Sequence, residues 1–376
     1  MNISTPLNMP ASISSETPTD EAIAIEPVQI TREDIIRCRF SSWYGRFRDA
    51  TFKSRVIPLP KEFIDYLNAD GIYLPDEGQA QAARLMEQDS DDEDALDDFD
   101  TDGNETEEQS NAPSFPEVED AIRDAVAEYE GAIFPKLNWS SPRDAAWITA
   151  TQSLKCTNAF DIYLLLKSSD FINYDLSHAY DECTDGQHYD SDQSYELVLR
   201  KWYDLHPSME FRCFVRNREI IGISQRDINY YEFLADMKDE LETTIHEFFE
   251  DRVRDQFESD NYVFDVYVLQ NRRTVKLVDF NPFSPTTDGL LYEWAELYQI
   301  SPDDNNADIR IITSQVEANM RARCAPSFSA NMVPKDVVDL SNGQTIAQFA
   351  EDFHKAMAGQ KVEDSSDEDD EPFVQK

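Results

Sequence analysis

Apolar positions recur along this chain with two different periods, and the change from one to the other separates helices from strands. From Thr31 onward Cys38, Phe40, Trp43, Tyr44 and Phe47 have the spacing of one buried helical stripe, so folded structure is expected to start near Thr31. After Ile57-Pro58-Leu59-Pro60, the residues Phe63, Ile64 and Leu67 mark a second short helix that ends at Asp70-Gly71. A helix from Val118 to Tyr129 leads into a strand through Ala132, Ile133 and Phe134, and Pro142-Arg143-Asp144 reads as the start of another helix. Extended segments are expected at 160–166, 195–203, 210–216 and 219–225, then a long helix around 231–257. Strands at 262–269 and 275–280 are joined by a short turn at Asn271-Arg272-Arg273. The order predicts an α+β fold dominated by antiparallel strands rather than a regular βαβ array.

Charge changes that picture in two places. Between Glu87 and Glu108 there are thirteen acidic residues and no Lys or Arg, so residues 76–112 are expected to be a disordered insertion within a folded body. Seven more acids lie between Glu363 and Glu371, in an acidic tail over 361–376, and residues 1–30 read as a flexible lead-in. The body is then 31–75 together with 113–360. The chain carries a net charge of −43, and setting those twenty carboxylates aside still leaves −23, which would repel a phosphate backbone and argues against direct nucleic-acid binding.

Five cysteines without a CxxC pair suggest neither a disulfide framework nor a zinc site. No basic, apolar leader and no run of about 18 apolar residues occurs, so a soluble cytoplasmic protein without membrane contact is expected. With 10 glycines and no GxxxxGK[ST] or GxGxxG, a glycine-cradled phosphate is improbable, and a metal, if used, should be a hard cation on carboxylate oxygens.

Chemistry concentrates near the end of the strand series. In Val275 to Pro282, Asp279 and Asn281 share one face while Val278 and Phe280 point to the other. A hairpin symmetric about Arg272 puts Asp265 opposite Asp279, and facing carboxylates repel unless a cation sits between them. Two readings stand: a solvated polar pair on an edge strand, or a Mg2+ site. Lys136, Arg212 and Arg226 each emerge from an apolar strand and so require an anionic partner, which either the chain's own Asp and Glu or a nucleotide triphosphate would supply. Leu197 to Asp204 is either a core strand reaching the surface or an adenine hinge.

In order, a Lys, a hinge, an acid and an Arg, a second Arg, an Asp and an acid-x-Asn-Pro strand resemble the ATP-grasp superfamily, with Asp279-Phe280-Asn281 where Glu-x-Asn is usual. Within it the chain is similar to the cell division cycle protein 123 family, through Cys38 to Tyr44, Ile57 to Pro60, Phe134 to Asp144, Glu210 to Phe214, Ile223 to Asp227 and Val278 to Phe283. The resemblance implies an ATP-grasp-like fold of two lobes enclosing a nucleotide cleft, with largely antiparallel sheets, the N-terminal lobe reaching to about 194 and the C-terminal lobe starting at about 195. It implies ATP and Mg2+ as cofactors and a monomeric assembly chaperone. The implied partner is the gamma subunit of eukaryotic translation initiation factor 2, which the chaperone joins to the alpha subunit; the alternative is an ATP-grasp carboxylate-amine ligase working through an acyl phosphate. Carried over by position, Lys136 and Arg226 contact phosphates, with Asn138, Trp139, Ser141 and Arg143 in the adjoining loop. Arg200, Trp202 and Asp204 surround adenine and ribose with Glu210 and Arg212 nearby, and Asp265, Asp279 and Asn281 hold the metal.

Overall fold

The computed structural model describes residues 28–69, 114–149, 151–185, 194–302 and 308–324. The acidic insertion, the acidic tail and nearly all of the N-terminal lead-in expected from composition lie outside the described residues. Just before Thr31, Ile30 is buried and its carbonyl accepts the Thr184 N–H at 2.9 Å.

Two sheets organise the body. The first has the antiparallel order β1-β3-β2, where β1 is Ser54–Pro58, β2 is Ile133–Lys136 and β3 is Glu196–Lys201. Leu197 and Leu199 of the central strand β3 join a core with Ile133, Val118 and Ile122 of the helix Pro116–Glu128, and Ile162 and Leu165 of the helix Ala159–Lys167. The opposite face carries Val198 and Arg200, and register places Lys136 beside Val198 and Phe134 beside Arg200 on that face. β3 completes the first sheet, and the chain passes to the second only after Lys201.

The second sheet has the order β7-β6-β4-β5-β8, formed by β4 (Glu210–Arg216), β5 (Glu219–Gln225), β6 (Tyr262–Val268), β7 (Val275–Pro282) and β8 (Ile309–Arg310). All its pairs are antiparallel except β5 with β8. One face shares a core with Leu234, Leu241 and Ile245 of the helix Phe233–Phe248. An edge strand such as β7 exposes unpaired backbone groups. Here the N-terminal segment covers them, since Leu277 N–H donates to the Ala50 carbonyl at 2.8 Å and the Thr51 hydroxyl donates to the Leu277 carbonyl at 2.7 Å.

Four local expectations change. The segment 160–166 is helical, because buried Ile162, Tyr163, Leu165 and Leu166 follow the i, i+1, i+3, i+4 pattern and Asn158 caps the Asp161 N–H at 2.9 Å; a short apolar run alone does not distinguish the two states. The expected single helix from Thr31 to Phe47 is two, Arg32–Cys38 and Phe40–Tyr44, broken at extended Arg39 where Phe40 N–H turns to the Asn138 carbonyl at 3.0 Å. Pro142 opens a 3-10 turn, Arg143–Ile148, rather than an α-helix. The long helix is α-helical only to Phe248 and continues as a π-turn over Phe249–Val253.

Candidate functional site

A row of polar side chains runs straight across the second sheet. Register pairs Ser224 with Arg212, Arg212 with Asp265, and Asp265 with Asp279, so all four share a face. Asp265 is buried and accepts two bonds from Arg212, at 2.7 Å from Nε and 2.8 Å from Nη2, and one from Arg226 Nε at 3.2 Å. Burial alone would raise the Asp265 pKa, but the Arg212 and Arg226 charges outweigh it and hold the carboxyl well below the ordinary range. Arg226 also lies 3.2 Å from Glu210; burial opposes its charge, and the Glu210 and Asp265 carboxylates reverse that and raise its pKa.

The facing wall comes from the first sheet. Lys136 ends β2, is buried, and its Nζ donates to the Trp139 carbonyl and to the Asp279 carboxylate. The two facing carboxylates thus each meet a protein cation, and the Mg2+ expected between them is not needed to relieve their repulsion. Among the described residues no group of three His, Cys, Asp or Glu side chains is placed to hold a metal ion. Arg143 stands within electrostatic reach of Arg226, Glu210, Arg212 and Asp265; its burial, then the charge of Arg226, pulls its pKa down to about 9. Four cations, Lys136, Arg143, Arg212 and Arg226, thereby converge on three carboxylates, Glu210, Asp265 and Asp279. Such a gathering of cations stands out in a chain of net charge −43 and would suit an anion.

Not every residue expected at the site faces it. Asn138 is fully buried and structural: its Oδ1 accepts the Glu196 N–H at 2.8 Å and its Nδ2 donates to the Ser194 carbonyl at 3.3 Å. Arg200 lies in the interior, donating to the Val278 carbonyl at 2.8 Å among the rings of Phe40, Phe52 and Phe134. It braces β7 through that carbonyl and stands within electrostatic reach of Asp279 and Glu210. Trp202 donates from Nε1 to exposed Asp204 at 2.8 Å, and its backbone N–H is taken by the Ala132 carbonyl. Trp139 points its Nε1 to the Ile35 carbonyl at 2.8 Å, and the half-buried Ser141 gives its carbonyl to the Arg143 N–H. Asn281 shares the face of Asp279, and its buried Nδ2 has no hydrogen-bond partner among the described residues.

Asp175 escapes a reading of the sequence. It is buried in the helix Asp170–Ser177, and its carboxylate accepts the N–H groups of Trp139 at 3.2 Å and Ser140 at 2.8 Å and the Ser140 hydroxyl at 2.7 Å. Burial pushes its pKa up to about 6 against the opposing Ser140 bonds. Glu196 escapes it too: it accepts the Ser41 N–H at 2.9 Å and pairs with Arg39 at 3.1 Å, fixing the break between the first two helices. Nothing in the local sequence marks either acid, because burial is set by elements distant along the chain.

The family model described as D123 matches residues 43–341. The translation initiation factor eIF2 assembly protein of Aspergillus niger is 38% identical over 371 residues, spanning 95% of this chain and 97% of that protein. Cell division cycle protein 123 of Candida glabrata is 38% identical over 359 residues, spanning 93% and 99%. The solved structure of Cdc123 from Schizosaccharomyces pombe is similar with a TM-score of 0.63 and 39% identity, covering 77% of this chain and all of that one. With matches of this extent in sequence and in fold, the chain belongs to the D123 family.

Proposed function

We propose that this protein binds ATP with Mg2+ at the junction of its two sheets and serves as an assembly factor for eukaryotic translation initiation factor 2, engaging the gamma subunit and favouring its union with alpha in the cytoplasm. The observation that carries nucleotide binding is the convergence of Lys136, Arg143, Arg212 and Arg226 on Glu210, Asp265 and Asp279 where the two sheets meet. The strand order of these residues, from Lys136 on β2 to the Asp279-Phe280-Asn281 run on β7, is that of ATP-grasp proteins and supports the same reading. The assembly role draws on relatives named for eIF2 assembly.

Lys136 would exchange Asp279 for a phosphate oxygen, and Arg226 and Arg143 would share the remaining anionic charge. Asn281, whose buried amide nitrogen lacks a partner among the described residues, fits a ligand that brings acceptor oxygens or, with its amide turned, a cation. Asp279, Asp265 and Asn281 offer the hard oxygens that suit Mg2+, two carboxylates being enough when phosphates complete the shell. Bound there, Mg2+ would neutralise phosphate charge. Arg212 ties the site to the following loop through the Asp288 carbonyl at 2.8 Å, a route by which ligand would stiffen the surface beyond the sheet.

The test is titration of purified gamma subunit with the full chain, with and without Mg-ATP, followed by addition of alpha. Formation of a complex that accelerates alpha joining is the expected result. Absence of any complex at about 10 μM, well above the concentration at which a specific interface saturates, would refute the assembly role. ADP release driven by a small carboxylate plus an amine would favour a ligase instead.

A further inference from the structure

We propose that Asp175 is the positioning residue of the phosphate-facing Lys136, acting through the turn from Leu137 to Ser140; the inference rests on the ATP-binding reading above. Lys136 is held by two groups, Asp279 and the Trp139 carbonyl. Only the second is independent of ligand, since Asp279 is the partner to be exchanged. The direction of the Trp139 carbonyl is fixed by the turn that contains it, closed by Leu137 N–H on the Ser140 carbonyl at 2.8 Å. Asp175 grips the other side of that turn, taking both the Trp139 and Ser140 amides and the Ser140 hydroxyl.

Stability alone gives little reason for a carboxylate at this place. Asp175 lies in the last turn of Asp170–Ser177, at the negative end of the helix dipole, and is buried. Two adjacent backbone N–H groups form a small anion-binding concavity, and a carboxylate fills it. Because Asp175 already occupies those amides, they are not offered to a phosphate. The triphosphate must then be held by side chains, and the orientation of Lys136 sets affinity for the phosphates while leaving the nucleoside untouched.

The experiment titrates the full chain with Mg-ATP and, separately, with adenosine, which lacks phosphates, for wild type, Asp175→Ala, Asp175→Asn, Lys136→Met and the Asp175→Ala/Lys136→Met pair. Asp175→Ala should weaken Mg-ATP about tenfold and leave adenosine unchanged. Asp175→Asn, which keeps one acceptor oxygen, should recover most of the loss. Added to Lys136→Met, Asp175→Ala should cost nothing further, because its effect passes through the lysine. Full Mg-ATP affinity in Asp175→Ala, equal losses for both ligands, or losses that multiply in the double variant would each overturn the proposal. Should Asp175→Ala not fold, Ser140→Ala removes one of the three bonds and is read in the same way: a loss confined to Mg-ATP supports the proposal, and no loss or equal losses overturn it. A wild type that binds neither ligand removes the ATP-binding reading itself, and this proposal with it, before any variant is compared.

Discussion

Lys136 and Asp279 stand on two sheets that share no strand, yet their side chains meet in an ion pair whose lysine is 1% exposed and whose carboxylate is 16% exposed. The pair joins the end of β2 to the edge strand β7 at the point where the row of Arg212, Asp265 and Asp279 ends. Buried pairs contribute little net stability, but breaking one by removing a single partner is costly.

Asp279→Asn should therefore destabilise the ligand-free protein by about 3 kcal/mol, because it leaves the Lys136 ammonium buried with one carbonyl. Lys136→Met should cost less, about 1–2 kcal/mol, since Asp279 keeps some contact with water and Met fills the lysine's volume. Urea unfolding of both variants measures the order, and a fully stable Asp279→Asn protein would show that the pair does not form in solution.

Mg2+ alone should give no saturable binding. Both carboxylates of the site are already met by Arg212, Arg226 and Lys136, and only phosphates would release them. Calorimetric titration with MgCl2 should be flat, whereas ATP affinity should fall when Mg2+ is chelated. Tight nucleotide-free Mg2+ binding would contradict this order of events.

Arg200→Lys separates bracing from ligand contact. A lysine cannot reproduce the fork that reaches the Val278 carbonyl among three aromatic rings, and a loss of about 2 kcal/mol in stability is expected. Adenosine affinity of the folded variant should stay within about twofold of wild type, which one calorimetric titration decides.

pH should act oppositely through two buried acids. Asp265 has a depressed pKa, so its contribution is present above the unfolded value near 3.8 and is lost as pH falls through the folded value. Asp175 is raised from 3.8 to about 6, so its contribution is complete below 3.8 and is lost as pH rises through 6. Asp175→Asn does not titrate, and its stability relative to wild type should therefore climb by about 2 kcal/mol between pH 4 and pH 7. Urea midpoints at four pH values check the slope; a difference independent of pH would show that Asp175 is not desolvated.

Alternating residues identify the strands around Asp265 and Asp279 because side-chain direction in a strand is a local property. The same holds for the π-terminated helix from Phe233, whose apolar stripe is visible along the chain. Local pattern fails at 160–166, where a short apolar run satisfies both periods and the burial of Ile162 and Leu165 in a core shared with Leu197 and Leu199 goes with the helix.

What the sequence by itself determined is the inventory: antiparallel strands leading to a lysine, two arginines and a closing acid-x-Asn run, in an order particular enough to identify the family. Asp265 does lie opposite Asp279, as a turn symmetric about Arg272 predicts, but the ladder nearer the turn is offset by one residue. Val268, Tyr267 and Val266 pair with Val275, Lys276 and Leu277, and continuing that ladder would set Asp265 against Val278. A bulge at Val278 brings Asp279 opposite Asp265 instead, and Arg200, reaching from the first sheet, takes the Val278 carbonyl. The lysine between sheets and the buried grip of Asp175 depend on contacts between segments more than thirty residues apart. Such contacts form only when the cores close around them, so no local pattern of the chain encodes them.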